Sequence, residues 1–387
     1  MRIPAEIKAQ LAELRSAHPE LQGASDEQIM DMIQAAMQQQ MPQGDAPNEA
    51  DMERMSANEC VDIGQRLMDV GRWQEAERWF LAMLKRSEKT GALGEQCQAT
   101  TLLGRLCRER GDMLQAMALL QRALQLAERL GAEELQGAIY DQIGSTHNMQ
   151  GQYPQAIEHY KKAIEIQEGM RDEGRLLVVY GNLGVVHSKQ GDLDRAIEMY
   201  EKALALSLKL SDESGAARSY LSLGIANTDQ GRHDRAAEMF CRSLEIQERL
   251  GLDAAAARTY VALGQIHDKQ DAFDEAIQMH EKALEIQRRI GDEPGAATTY
   301  NSLAICYRRK GDVARALESH RQSLGIEERI GNKEGAATSY FDLGNLYLED
   351  IGDREQARAH FQKAKALFEM IGDTANAQRA ALALHLS

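Results

Sequence analysis

The strongest constraint on this chain is a period. The stretch 178–201, VVYGNLGVVHSKQGDLDRAIEMYE, returns in recognisable form, giving eight copies at a step of 40 residues. Gly184 recurs as Gly64, Gly104, Gly144, Gly224, Gly264 and Gly344, with Ala304 in the remaining slot. Ala196 recurs as Ala76, Ala116, Ala156, Ala236, Ala276 and Ala316, and then as Ala357, one residue late because of an insertion near Ile351. A fixed period of this length means a stacked array, because one short unit cannot bury its own apolar face.

Spacing inside the unit identifies what repeats. Tyr180, Leu183, Gly184 and His187 lie at i, i+3, i+4 and i+7, one face of an α-helix. A second stripe follows in Leu193, Ala196, Ile197, Tyr200, Ala203 and Leu204. Between them, Gly191 suits the left-handed position after a helix and Asp192 suits the N-cap of the next. The unit is therefore a helical hairpin, and Gly184 is expected to face Ala196 and Ala203 where the two helices approach.

Tyr180, Leu183, Gly184, His187, Ala196, Tyr200 and Ala203 together resemble the tetratricopeptide (TPR) signature, over about 57–372 of the chain. The usual TPR repeat is about 34 residues and ends its second helix with Pro. Here Leu208, Glu248 and Arg288 occupy that Pro slot, so the second helix is expected to run on to about Leu210. This longer form resembles the repeats of Pins-type spindle-orientation adaptors and kinesin light chains. The resemblance implies an all-α fold, a right-handed TPR superhelix (α-solenoid) of about eight hairpins.

The implied organisation is an N-terminal helical hairpin at 1–40, a linker at 41–56, eight repeats at 57–373 and a C-terminal capping helix at 374–387. The hairpin reads as one amphipathic helix over 4–16, with Ile7, Leu11 and Leu14 on one face, and a second over 25–37 with Ser25 as N-cap and Gln28 three residues on. Repeat boundaries fall at about 57, 97, 137, 177, 217, 257, 297 and 337, in one continuous solenoid. The segments IGDEPGAA around Gly291 and IGNKEGAA around Gly331 read as connecting loops. Trp73 and Trp79 lie in or near the second helix of the first repeat.

Composition narrows the function classes. A formal net charge of −15 argues against a nucleic-acid or anionic-membrane partner for the molecule as a whole. No apolar run is long enough for a signal peptide or a membrane span, and a cytoplasmic location is expected. Cys60, Cys97, Cys107, Cys241 and Cys306 are irregularly spaced and read as reduced, packed thiols.

Catalytic patterns are missing: the chain contains no GxxxxGK[ST], GxGxxG, HExxH or CxxC. No enzymatic activity, cofactor or metal is expected. The recurring His147, His187 and His267, like His280 and His320, occupy packing slots of the repeat rather than metal-ligand spacing.

The resemblance leaves binding. In TPR proteins the first helices line a concave groove, whose slots in this chain hold Arg105 and Arg108 in repeat 2 and Asn182, Val185 and Lys189 in repeat 4. Repeats 5 to 8 supply Arg218 and Leu221, Arg258 and Lys269, Asn301 with Arg308 and Arg309, and Phe341 with Asn345. Glu109, Asp141, Asp229, Asp268, Asp342 and Glu349 enter the same face. Repeats 5 to 7 thus carry five basic and two acidic groove residues, which predicts a site for an acidic peptide. Asn182 matches the slot where peptide-binding TPRs contact a ligand backbone, and with Arg218 it resembles part of the carboxylate clamp of chaperone-binding TPRs, whereas Asp141 and Ser145 depart from that clamp. The expected function is a monomeric adaptor for a protein or peptide partner. Alternatives are a ligand-responsive regulator like peptide-pheromone receptors with TPR arrays, and a self-assembling scaffold.

Overall fold

A computed structural model describes Met55 to Leu386. The hairpin expected at 1–40 and nearly all of the linker at 41–56 lie outside the described residues. Every regular element among the described residues is helical. First helices are α1 (Ala57–Asp69), α3 (Leu93–Glu109), α5 (Glu133–Met149), α7 (Glu173–Lys189), α9 (Glu213–Asp229), α11 (Asp253–Lys269), α13 (Glu293–Arg309) and α15 (Lys333–Asn345). Their partners are α2 (Trp73–Thr90), α4 (Met113–Leu130), α6 (Tyr153–Met170), α8 (Leu193–Lys209), α10 (His233–Arg249), α12 (Phe273–Ile290), α14 (Val313–Ile330) and α16 (Arg354–Ile371), followed by α17 (Thr374–Leu386).

Turn chemistry sets these bounds. Between α7 and α8, Gly191 takes φ 80° and the Asp192 N–H returns to the His187 carbonyl at 2.9 Å, a Schellman closure. The Asp192 carboxylate then accepts from the Arg195 N–H at 3.3 Å and caps α8, which ends at Lys209 as the missing Pro predicts. The segments around Gly291 and Gly331 are not loops beyond their first residues. Asp292 accepts from the Gly295 N–H at 3.0 Å, so the small residues Gly295, Ala296 and Ala297 already form the first turn of α13. Each first helix from α3 onward accordingly starts four residues before the repeat boundary drawn from the signature.

The helices group into two compact units, one ending at Ser211 and one beginning at Asp212, where the sequence suggests a single continuous array. The first unit holds α1 to α8 and the second α9 to α17. Within each, a first helix packs against its own second helix, and that helix against the next first helix. At the end of the second unit, Ala377 and Ala380 of α17 pack with Tyr340, Ala364 and Phe368.

The insertion near Ile351 is absorbed inside a helix. After Asn345, residues Leu346–Ile351 wind as a π-helix, whose wider turn accommodates an extra residue without a break. Gly352 then ends it at φ 78°, one place after the 40-residue step.

The glycine slot is a seat for a ring. A Cβ on Gly184 would lie 2.5 Å from Cε1 of Tyr200, whose neighbours one turn away on the same helix, Ala196 and Ala203, are buried. Tyr200 stands one helical turn from each alanine, so a single stripe delivers small, aromatic, small. The same contact recurs at Gly64 with Phe80, Gly224 with Phe240 and Gly264 with His280. His280 is 1% exposed, and neither ring nitrogen has a hydrogen-bond partner; burial pushes its pKa down to about 4.

A second recurring contact is polar and buried. Thr259 donates to Gln247 Oε1 at 2.8 Å and Thr299 to Gln287 Oε1 at 2.9 Å. In the next hairpin the pair becomes Ser339 donating to Glu327 Oε2 at 2.8 Å. Glu327 is buried, and desolvation raises its carboxyl pKa against the pull of its serine partners.

These contacts make two predictions. Gly184→Leu should lower stability by roughly 1–3 kcal/mol through overpacking. Adding Tyr200→Ala should recover part of that loss, and a strictly additive double-mutant cycle would show that the two positions do not touch. Glu327→Gln, the residue of the sister hairpins, should stabilise at neutral pH. A carboxyl whose folded pKa is raised penalises the folded state above that pKa, and the penalty fades as pH falls toward the ordinary value of about 4.3. A gain of about 1 kcal/mol, hence about 2–4 °C in melting temperature, is expected at pH 7 and little at pH 4.

Candidate peptide-binding face

In the first unit, helices α3, α5 and α7 carry one polar ladder. Arg108 Nη1 donates to Gln142 Oε1 at 2.9 Å, and Gln142 Nε2 to Asp141 Oδ2 at 3.1 Å. Asn182 Nδ2 closes the ladder on Asp141 Oδ1 at 2.9 Å. Asp141 is buried, and desolvation raises its carboxyl pKa while Asn182 and the Arg108 charge oppose the rise. Lys189 Nζ donates to Asn148 Oδ1 at 3.3 Å. The Asn182 amide thus gives one of its hydrogens to Asp141, and Arg108 also pairs with Glu109 at 2.9 Å. Arg105 stands half-buried on the same helix, without an ion-pair partner among the described residues.

The second unit divides the expected basic residues in two. Arg308 pairs with Glu349 at 2.6 Å and Asp350 at 2.7 Å, both presented by the π-helical turn. Arg309 pairs with Asp268 at 2.7 Å and with Asp271, and its guanidinium lies 5.0 Å from the Phe273 ring centroid. The net-basic count read from the sequence therefore overstates the free charge at α13, because Asp268 and Glu349 of the same face, joined by Asp271 and Asp350 outside the scored slots, turn onto these two arginines. Arg218 of α9, Arg258 of α11 and Lys269 of α11 are exposed and have no ion-pair partner among the described residues. Arg218 and Arg258 occupy the same slot of adjacent first helices.

Asn301 is also engaged. Its Nδ2 donates to Ser339 Oγ at 3.3 Å, and its Oδ1 lies 3.1 Å from His320 Nδ1. An amide oxygen only accepts, so that ring nitrogen carries the proton. Burial pushes the His320 pKa down to about 4 and leaves the ring neutral near pH 7. Asn345, at the entry to the π-turn, is half-buried. A small cavity of about 320 Å³ opens beside Ile305, Arg308, His320, Asp342 and Asp350. Asp342 is raised to about 6, mainly by burial, with Arg308 and Arg379 opposing. Nothing in the sequence marks this cavity beyond the one-residue insertion near Ile351, where Asp350 of the π-helical turn meets Arg308.

Cys60, Cys97, Cys107 and Cys306 are buried, as packed thiols should be, but Cys241 is exposed. Among the described residues no group of three or more His, Cys, Asp or Glu is arranged to hold a metal, and no helix is long and apolar enough to cross a membrane.

Among curated proteins no sequence match was found. Similar solved structures include the following three. BtubC (BKLC) from P. vanneervenii is 25% identical, with TM-score 0.51, covering 56% of this chain and 91% of that one. The signal transduction ATPase with numerous domains (STAND) protein with a tetratricopeptide repeat sensor from Pyrococcus horikoshii is 16% identical, TM-score 0.66, covering 82% of this chain and 49% of that one. The apo form of the quorum sensor NprR from B. thuringiensis is 16% identical, TM-score 0.58, covering 94% and 99%. The last two likenesses show the fold alone. A tetratricopeptide repeat profile matches residues 95–169, 175–249, 242–289, 255–329 and 295–370. The signature residues, the paired helices and this match over most of the chain agree: the protein belongs to the tetratricopeptide repeat family.

Proposed function

We propose that this protein is a non-enzymatic adaptor that holds an acidic segment of a partner polypeptide on the first-helix face of its second unit. TPR repeats are protein-interaction modules, and the finer reading rests on one observation. Arg218, Arg258 and Lys269 are exposed on neighbouring first helices without a carboxylate partner among the described residues, while Arg308 and Arg309 already have theirs. Free guanidinium forks suit bidentate carboxylate contacts. The ladder of Arg108, Asp141 and Asn182 and the engaged Asn301 serve on this reading to hold adjacent first helices in register.

The test uses two fluorescein-labelled random peptide pools of equal length, one rich in Glu and one rich in Lys, read by anisotropy. The Glu-rich pool should bind more tightly, and its affinity should fall with salt as the screening length shortens to about 8 Å at physiological ionic strength. Arg218→Glu with Arg258→Glu should abolish that preference and leave the melting temperature unchanged. Arg309→Glu should instead lower stability by on the order of 1 kcal/mol, since it removes two ion pairs and sets like charges together. Equal binding of both pools, or full affinity in the double variant, would overturn the reading. A change in small-angle scattering on adding the Glu-rich pool would favour a ligand-responsive regulator over a static adaptor.

A further inference from the structure

Around Tyr300 the array departs from its sister hairpins at three positions, and two of them, Ser319 and Arg288, line one cavity. The first is the slot before the ring-bearing residue of the second helix. It holds Trp79, Leu119, His159, Met199, Met239, Met279 and His360 in seven hairpins, and Ser319 in α14. In two sister hairpins the large residue joins an apolar cluster that extends to the preceding hairpin: Met279 packs against the cluster holding Phe240, Leu263 and Ile266, and Met199 belongs to the one holding Tyr160, Val179 and Leu183. Ser319 is too small to do the same.

The other departures concern Tyr300. In sister hairpins a cation 22 or 23 residues on lies over the tyrosine ring, as Lys202 does over Tyr180, Lys282 over Tyr260 and Lys363 over Tyr340, at 5.6, 5.4 and 4.9 Å. For Tyr300 that position is Gln322, which turns instead to Glu318 at 2.7 Å. The sister hydroxyls donate to a glutamate 12 residues back, Glu168 for Tyr180 at 2.9 Å and Glu328 for Tyr340 at 2.6 Å. For Tyr300 that residue is Arg288, which donates to the hydroxyl and lies over the ring at 5.6 Å. Here a cavity of about 720 Å³ opens between α12 and α14, floored by Leu284, Tyr300, Leu303 and Tyr307 and edged by Ser319, Arg288 and further Glu and Arg side chains of α12 and α14.

We propose that this cavity is an anchor site for a partner polypeptide, taking one Met- or Leu-sized side chain in the space that Ser319 leaves open. The sister hairpins indicate the chemistry of the occupant, because in four of the seven the same position is filled by a Met or Leu of the chain itself, Leu119, Met199, Met239 and Met279. The volume lies within the usual range of ligand sites, with an apolar and aromatic floor. Arg288 keeps guanidinium donors beyond the one given to Tyr300, and these meet carbonyl oxygens flanking the inserted side chain. This site is distinct from the first-helix face and does not depend on it.

The probe is N-acetyl-methionine N-methylamide, with the alanine analogue as control, followed by saturation-transfer NMR on the full chain. The methionine methyl should receive saturation at millimolar concentration, with affinity at least about tenfold above the alanine analogue. Ser319→Met should fold with an equal or higher melting temperature and lose the transfer. Ser319→Leu, which copies Leu119, should do the same. Transfer that survives in either folded variant, absence of transfer to the unaltered protein at tens of millimolar, or a lowered melting temperature in both variants would overturn the proposal.

Discussion

The contact on which the rest depends is a ring laid on a backbone. At Gly184, and at most of its counterparts, the first helix has no Cβ where Tyr200 or its equivalent lands, so the two helices of a hairpin meet with an aromatic ring wedged between them, replaced by Leu120 at Gly104. That wedge fixes both separation and rotation of the pair. Once the pair is fixed, the polar bond from Thr259 to Gln247 and its relatives can be satisfied without water, and the second helix presents its far side to the next hairpin. Repetition then needs no further instruction, because each hairpin offers the next the surface that it was itself given.

The fold was readable because its determinants are local. Period, stripe and cap lie within one 40-residue unit, so Gly191 and Asp192 announce their turn without knowledge of anything distant. One local reading failed for a local reason. Gly295, Ala296 and Ala297 resemble a loop in composition, yet Asp292 caps them into a helix.

The candidate site was less legible, since its electrostatics depend on neighbours 36 to 42 residues away. A slot pattern can say that Arg308 and Arg309 face the first-helix surface. It cannot say that Asp268, Asp271, Glu349 and Asp350 turn onto them, because three of those positions depend on helix ends and on the π-turn. Asn182 and Asn301 were likewise visible as amides but not as amides that bond to neighbouring first helices. Charge counted along a sequence is an upper bound on charge that a partner can feel.

The π-turn at Leu346–Ile351 has a consequence for how such an array tolerates change. An added residue in a tight two- or three-residue turn would alter the angle at which every later hairpin leaves. An added residue inside a helix rotates the following backbone by about 100° and advances it by about 1.5 Å, and a single widened turn can cancel the rotation. Ala357 and Phe361 therefore meet their hairpin partner in the same way as their earlier counterparts, although their numbering has slipped by one. The repeat corrects its own reading frame within the molecule, and the residue left over is free to carry a carboxylate.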